Sequence, residues 1–229
     1  MEEEMELMKT NQVWDLVDLP LGQRFIGNKL ILKIKHKVDG LIERYKARLV
    51  AKSYTQEEGI DYEDTFSPLV RIISVRLILA IVAHMDFELY QMDVRTAFLN
   101  EELNEKIYMD QPLGFETKRQ ERKVCKHKRS IYGLKQDSRQ WNVKFHQTIL
   151  KDDFTMMEED HYMYLKCSNN SFIILPLYVD DILIDRNNKE MIDTTKKWLS
   201  SNFEIKDMGE ANYILGVKII RDHAKRLLD

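Results

Sequence analysis

LPLYVDDILID (Leu175–Asp185) sets two adjacent carboxylates, Asp180 and Asp181, between two short apolar runs. Leu177, Val179, Ile182 and Ile184 flank the pair with β-favouring side chains. The stretch therefore reads as strand, tight turn, strand, with the aspartates at or beside the turn. An unpaired carboxylate taken out of water costs several kcal/mol. Either the pair sits in an exposed turn, where aspartate is a common residue, or a cation neutralises it. Hard cations such as Mg²⁺ take oxygen ligands and keep several waters, so one or two protein carboxylates plus substrate phosphates suffice.

A third carboxylate would strengthen the second reading, and Asp93 is the candidate. In FELYQMDVRTAFL, Phe87, Leu89, Gln91 and Asp93 share one period-two face, and the strand ends there. Asp93 also reads as an ordinary strand-end or helix-capping residue. Three carboxylates converging from two strands could hold two divalent ions about 4 Å apart, the arrangement for in-line phosphoryl transfer.

The 229 residues suit one domain with two subregions, and 44% hydrophobic content supports a sizeable core. A net charge of −3 carries no global nucleic-acid signature, but the charge is uneven. Glu2, Glu3, Glu4 and Glu6 make the start acidic, while Lys29–Lys52 and Lys118–Arg139 are basic, each also readable as a solvated face. Cys125 and Cys167 show no metal or disulfide spacing, which fits a reducing compartment. The acidic start lacks the apolar core of a secretory leader, and no apolar run approaches the ~20 residues of a membrane span. The expectation is a soluble, intracellular chain without a membrane partner. It is placed in the cytoplasm, with a virus-like particle or the nucleus as other compartments.

Helices are expected over Glu2–Lys9, over Ser74–His84 with Ser74 as N-cap, over Ser138–Leu150 with Trp141, Phe145, Thr148 and Ile149 on one side, and over Asn188–Ser201. Strand signals cover VWDLVDLP, Lys29–Val38 and Leu41–Lys52 joined by Asp39-Gly40, Phe87–Asp93, Tyr162–Lys166 and Phe172–Leu177. Further strands are expected over Phe203–Asp207 and Asn212–Ile220 on either side of Gly209. Along the second arm of the Asp-Gly hairpin, Arg44, Lys46 and Arg48 share one face and Tyr45, Ala47 and Leu49 the other. Ser67-Pro68 breaks the chain. Lys118–Arg129 reads as too charged for core. Strands and helices interleave without a βαβ repeat, so the fold class is α+β with an antiparallel sheet.

Several blocks together resemble the reverse transcriptase of copia-type retrotransposon Pol polyproteins: NQVWDLVDLP, YKARLVAKSYTQEEGIDYEDTFSPLV, QMDVRTAFLNEEL, IYGLKQDSRQWN, LYVDDILI and GEANYILGVKI. They occur in family order over nearly the whole chain. The resemblance implies the fingers-and-palm part of a right-hand polymerase with its thumb absent. It places fingers at 1–85 and 113–139, and palm at 86–112 and 140–229. It implies an RNA-directed DNA polymerase acting on an RNA or DNA template with primer and on deoxynucleoside triphosphates, with two Mg²⁺ ions, Mn²⁺ being the other candidate. Asp93, Asp180 and Asp181 match its catalytic metal-binding triad. Lys46 and Arg48 match the strand facing the incoming triphosphate. Thr96 and Ala97 match a turn whose amides approach it, Phe98 an aromatic gate against a ribose 2′-OH, and Gln136 a glutamine lying along the nucleotide. Leu215 and Gly216 match the primer grip. The basic stretches become contacts to the nucleic-acid backbone.

The sequence also departs from the family pattern, which usually has Gly at Ser53, Glu101, Asp153 and Arg186 and Ala at Asp137. Where φ must be positive, losing Gly costs about 1 kcal/mol or more. Arg186 is expected to strain the turn after the acidic pair. A carboxylate at 137 pointing to a triphosphate ~6 Å away would repel it by about 3 kcal/mol at an effective dielectric near 20, on the order of a hundredfold in affinity. Met1 reads as an internal methionine and the end at RDHAKRLLD as a truncation. The expectation is therefore a copy with weak or lost activity. Two other readings stand beside the polymerase: a non-catalytic nucleic-acid-binding remnant and a metal-dependent nuclease. The oligomeric state stays open.

Overall fold

The strands expected on either side of Asp39-Gly40, and those expected over Tyr162–Lys166 and Phe172–Leu177, pair antiparallel in the computed structural model of the chain, which describes residues 1–36, 39–65, 70–100, 103, 105–168, 171–179, 181–186, 189–214 and 217–228. In chain order the elements are α1 (Glu2–Thr10), β1 (Trp14–Val17), β2 (Asn28–His36), β3 (Ile42–Ala51), α2 (Ile72–Met85), β4 (Glu88–Val94), β5 (Tyr108–Met109) and β6 (Val124–His127). There follow α3 (Asp137–Ile149), β7 (Thr155–Met156), β8 (Met163–Ser168), β9 (Ser171–Tyr178), β10 (Asp181–Arg186), α4 (Lys189–Asn202), β11 (Ile205–Glu210) and the two-residue strands β12 (Tyr213–Ile214), β13 (Val217–Lys218), β14 (Arg221–Asp222) and β15 (Leu227–Leu228). The expected Asn212–Ile220 strand thus forms as the short pair β12 and β13. Every sheet is antiparallel among the described strands. The chain forms two units, each assembled from two separate stretches: Met1–Ser67 with Phe98–Lys144, and Pro68–Ala97 with Phe145–Asp229.

In the first unit, β2 and β3 form a two-faced ribbon. Leu30, Leu32 and Ile34 stand opposite Leu49, Ala47 and Tyr45, while Lys33 and Lys35 stand opposite Lys46 and Arg44. Gly40 takes φ +83°, as the Asp-Gly turn requires, and Asp39 Oδ1 accepts the Leu41 N–H at 3.0 Å. The root of the ribbon joins a core of Met8, Val13, Leu49, Ile107, Met109 and Ile131. The Lys118–Arg129 stretch corrects its sequence reading. Within it β6 is the central strand of a β1-β6-β5 sheet, with Val124, Cys125 and His127 buried and Lys126 turned out. Alternation within four residues outweighed the charge of the surrounding run. Both cysteines are free.

Gly133 explains how the IYGLKQ loop seats on β3. At φ +89° it brings the loop so close that a Cβ would lie 2.6 Å from Val50 Cγ1 and 2.7 Å from the Ala51 carbonyl oxygen. The Ala51 N–H donates to the Tyr132 carbonyl at 2.8 Å.

The second unit is a six-stranded sheet in the order β11-β4-β10-β9-β8-β7. On one face Val75, Ile78 and Val82 of α2 share a core with Leu89, Ile174 and Leu183. The other face carries Tyr90, Met92 and Ile182. There α4 lies against the sheet, with Lys196 Nζ 3.8 Å from the centre of the Tyr90 ring. The buried residues of α3 include Trp141, Phe145, Thr148 and Ile149.

α2 begins two residues before Ser74, so Ser74 is not its N-cap. Buried Asp160 does that work from a distant loop: its Oδ2 accepts the Arg71 N–H at 2.9 Å and the Ser74 hydroxyl at 2.6 Å. Gly209 does not separate two strands. It lies within β11 at a register shift, with φ +76° and its N–H on Asp207 Oδ1, the signature of a glycine bulge.

The glycine-type departures behave differently from one another. Ser53 starts a 3₁₀ turn and takes no left-handed backbone. Arg186 closes β10 opposite Glu88, in a strand rather than a turn. Glu101 lies outside the described residues, as does the Ser67-Pro68 break. Asp153 alone holds the left-handed conformation, φ +58°, after the 3₁₀ turn that ends α3.

Two substitutions test these backbone readings by denaturant unfolding. Gly133→Ala is expected to destabilise the chain by about 3 kcal/mol, from overpacking against β3 plus the unfavourable φ. Asp153→Gly is expected to stabilise it by about 0.5–1 kcal/mol.

Candidate active site

The register of the six-stranded sheet decides the geometry. Asp181, first residue of β10, is the direct cross-strand partner of Asp93, near the end of β4. Directly opposed residues project to the same face with Cα atoms about 4.5–5.5 Å apart, so two half-buried carboxylates stand side by side. On β11 the partner of Asp93 is Lys206, which puts a cation in the same row.

Gln91, two residues before Asp93 on the same face, donates from Nε2 to Asp181 Oδ1 at 2.9 Å. Burial pushes the Asp181 carboxyl above the ordinary aspartate range. The Gln91 hydrogen bond opposes this rise, and the negative charge of Asp93 adds to it. The site thus resists ionisation of Asp181, and a bound cation would remove that resistance. The donor set, two hard oxygen ligands on adjacent strands, suits Mg²⁺ or Mn²⁺. Asp180 lies outside the described residues, as do Leu215 and Gly216. Among the described residues no three His, Cys, Asp or Glu side chains gather as a metal site.

Backbone strain marks both sides of the carboxylate pair. Val179, between Tyr178 and the acidic pair, has φ +53°, and Thr96, three residues after Asp93, has φ +55°. β-Branched residues rarely accept positive φ, and such outliers concentrate at functional sites. Ala97 follows, fully buried, at the start of a 3₁₀ turn.

The remaining expected residues belong to the first unit. Lys46 and Arg48 share the basic face of the ribbon. The Arg48 guanidinium lies over the Tyr132 ring at 4.4 Å, and Tyr132 meets Phe98 edge-on, centroids 4.9 Å apart. Stacking of this kind holds a guanidinium without neutralising its charge. Phe98 is buried. Gln136 is buried as well: its Oε1 accepts from Gln56 Nε2 at 3.2 Å and its Nε2 donates to the Asp61 carbonyl at 3.1 Å.

Sequence reasoning passed over Gln91 and Lys206 beside the carboxylate pair, and Tyr132 beside Arg48 within the first unit. Gln91 and Asp93 share a strand face, which is legible. That Asp181 and Lys206 fall opposite them depends on a register no local pattern encodes.

Residues 11–228 match the family described as reverse transcriptase (RNA-dependent DNA polymerase). The chain is 45% identical over its full length to the retrovirus-related Pol polyprotein from transposon TNT 1-94 of Nicotiana tabacum. It is 38% identical over 92% of its length to that from transposon RE1 of Arabidopsis thaliana. It spans 17% and 14% of those two proteins. An apo telomerase from Candida tropicalis, truncated from its C-terminal domain, aligns with 99% of this chain and 59% of its own at 9% identity, with a TM-score of 0.40, too low to bear on the fold. No helix among the described residues is long and apolar enough to cross a membrane.

Asp137 departs from its expected role. It opens α3 and turns its carboxylate into its own loop, where Oδ2 accepts the Gly133 N–H at 3.0 Å and Oδ1 accepts the Ser138 hydroxyl at 3.0 Å. The carboxylate serves its own loop at the first residue of α3, so a free charge aimed out of that loop is not what the structure has. Burial still pushes the carboxyl above the ordinary aspartate range. A raised folded-state pKa means that its contribution to stability is greatest below the unfolded-state value and is lost as pH rises through the folded-state value. Asn carries no charge but has a single acceptor oxygen, so it keeps the contact to Gly133 or the one to Ser138 and not both. The stability of Asp137→Asn relative to wild type is therefore expected to shift in favour of Asn as pH rises through the aspartate range, as measured by thermal unfolding across pH.

Proposed function

Since the chain belongs to the reverse transcriptase (RNA-dependent DNA polymerase) family, of the kind carried by copia-type retrotransposon Pol polyproteins, we propose that it adds deoxynucleotides to a primer 3′-OH by copying a nucleic-acid template. The observation that carries this reading is the direct cross-strand pairing of Asp93 with Asp181 at one end of the sheet. The second unit serves as palm and the first as fingers. Asp93, Asp180 and Asp181 hold two divalent ions. When bound, these supply the positive charge that activates the primer hydroxyl and stabilises departing pyrophosphate.

The chain's own residues do the rest. Lys46 and Arg48 offer charge-assisted hydrogen bonds to the triphosphate, and the Tyr132 stack keeps Arg48 oriented. The amides of Thr96 and Ala97 add donors, in a turn held at positive φ. Phe98 bounds the sugar, and its buried setting against Tyr132 makes that boundary stiff. Gln136 acts by bracing the loop that carries Tyr132, through Gln56 and Asp61. Leu215 and Gly216 grip the primer end. Template and primer bind through backbone phosphates, which makes affinity salt-dependent and insensitive to sequence.

Primer extension on an RNA template with Mg²⁺ tests the proposal. Wild type is expected to extend, and Asp93→Asn and Asp181→Asn to lose roughly a hundredfold to a thousandfold in rate. Binding of primer–template without extension by wild type would favour the non-catalytic remnant. Template cleavage that is lost in the same variants would favour the nuclease.

A further inference from the structure

Gln91 is the polar interruption in a row built for the core. On its face of β4 it follows buried Leu89, and its direct cross-strand partner on β10 is buried Leu183. It lines a small cavity with Val70, Val75, Ile214 and Asp181. A primary amide set among such side chains loses solvation unless a partner compensates it. The partner lies on the diagonal: Gln91 Nε2 donates to Asp181 Oδ1 at 2.9 Å. Diagonal neighbours across a strand pair stand within reach of long side chains.

We propose that Gln91 is a positioning residue for the divalent-cation site. Its amide fixes the Asp181 carboxylate by one oxygen and directs the other to the ion. This rests on the reading of Asp93 and Asp181 as the cation ligands. The chemistry of the donor supports it. A Lys or Arg at position 91 would pair with Asp181 and cancel the charge that draws the cation. A neutral amide orients the carboxylate and leaves it an anion. Hydrogen bonds to ligating carboxylates hold the ligand set in place, and their loss typically weakens metal affinity ten- to a hundredfold. Asp181 needs such a guide more than Asp93 does, because it is the first residue of its strand.

Gln91→Met keeps the length of the side chain and removes the donor. Mn²⁺ titration followed by electron paramagnetic resonance, on the full chain without nucleotide, reads the effect directly. Gln91→Met is expected to bind Mn²⁺ about tenfold more weakly than wild type. Its melting temperature and primer–template affinity should be unchanged. In extension assays kcat should fall at limiting metal and recover as Mg²⁺ is raised, with little change in KM for nucleotide. In the metal-free chain, the Gln91 side-chain amide signals in a ¹⁵N–¹H spectrum should move on Asp181→Asn. Wild-type Mn²⁺ affinity in Gln91→Met, with weak binding in Asp181→Asn, would overturn the positioning role and leave the cation site standing. Wild-type affinity in Asp181→Asn, or no uptake by wild type, would remove the cation site and the proposal with it.

Discussion

Two carboxylates stand directly opposite each other on neighbouring strands, in a half-buried setting where burial and the charge of Asp93 oppose the ionisation of Asp181. At about 5 Å and an effective dielectric near 20, two such charges repel by about 3 kcal/mol. A chain gains nothing in stability from that arrangement. It is tolerated because the sheet around it is over-determined. β4 and β10 are interior strands, one face packed by α2 through Leu89 and Leu183, the other carrying buried Met92 and Ile182. A one-residue slip of either strand would exchange those two faces, so the apolar packing holds the charged pair in register. The Gln91 hydrogen bond opposes the rise that burial and Asp93 cause at Asp181, and a divalent cation would complete the balance.

The same logic of local cost held by surrounding packing recurs at Val179 and Thr96. Each is a β-branched residue at positive φ, and each lies within three residues of a carboxylate of the pair. Neither conformation is one the residue would choose. In both cases a regular element precedes the strained residue, β9 before Val179 and β4 before Thr96, so the strain is confined to one or two residues.

In the first unit the organising contact is steric. Gly133 lets the IYGLKQ loop lie against β3 at a distance no other residue permits, and the loop carries Tyr132 to Arg48 and Phe98. Three residues far apart in the chain thus become one stack. Gln136, three positions on, is locked between Gln56 and Asp61, and Asp137 closes the same loop onto Gly133. A charge that looked intrusive in the sequence closes its own loop in the fold.

Much was legible beforehand, for physical reasons. The Asp-Gly turn, the alternation along β3, the apolar side of α3 and the strand-turn-strand pattern around the acidic pair are local, set by φ preference and side-chain periodicity over a few residues. The motif order alone pointed to the family. What local pattern could not decide was who stands opposite whom. The pairing of Asp93 with Asp181 and Lys206, the diagonal reach of Gln91, the remote cap that Asp160 places on α2, and the burial of β6 within a basic run are all long-range. They follow from strand register and core packing, which depend on the whole chain at once. The sequence by itself determined which residues could bear the chemistry. The tertiary structure decided which of them share a face, because only the closed sheet fixes distances between residues far apart in the chain.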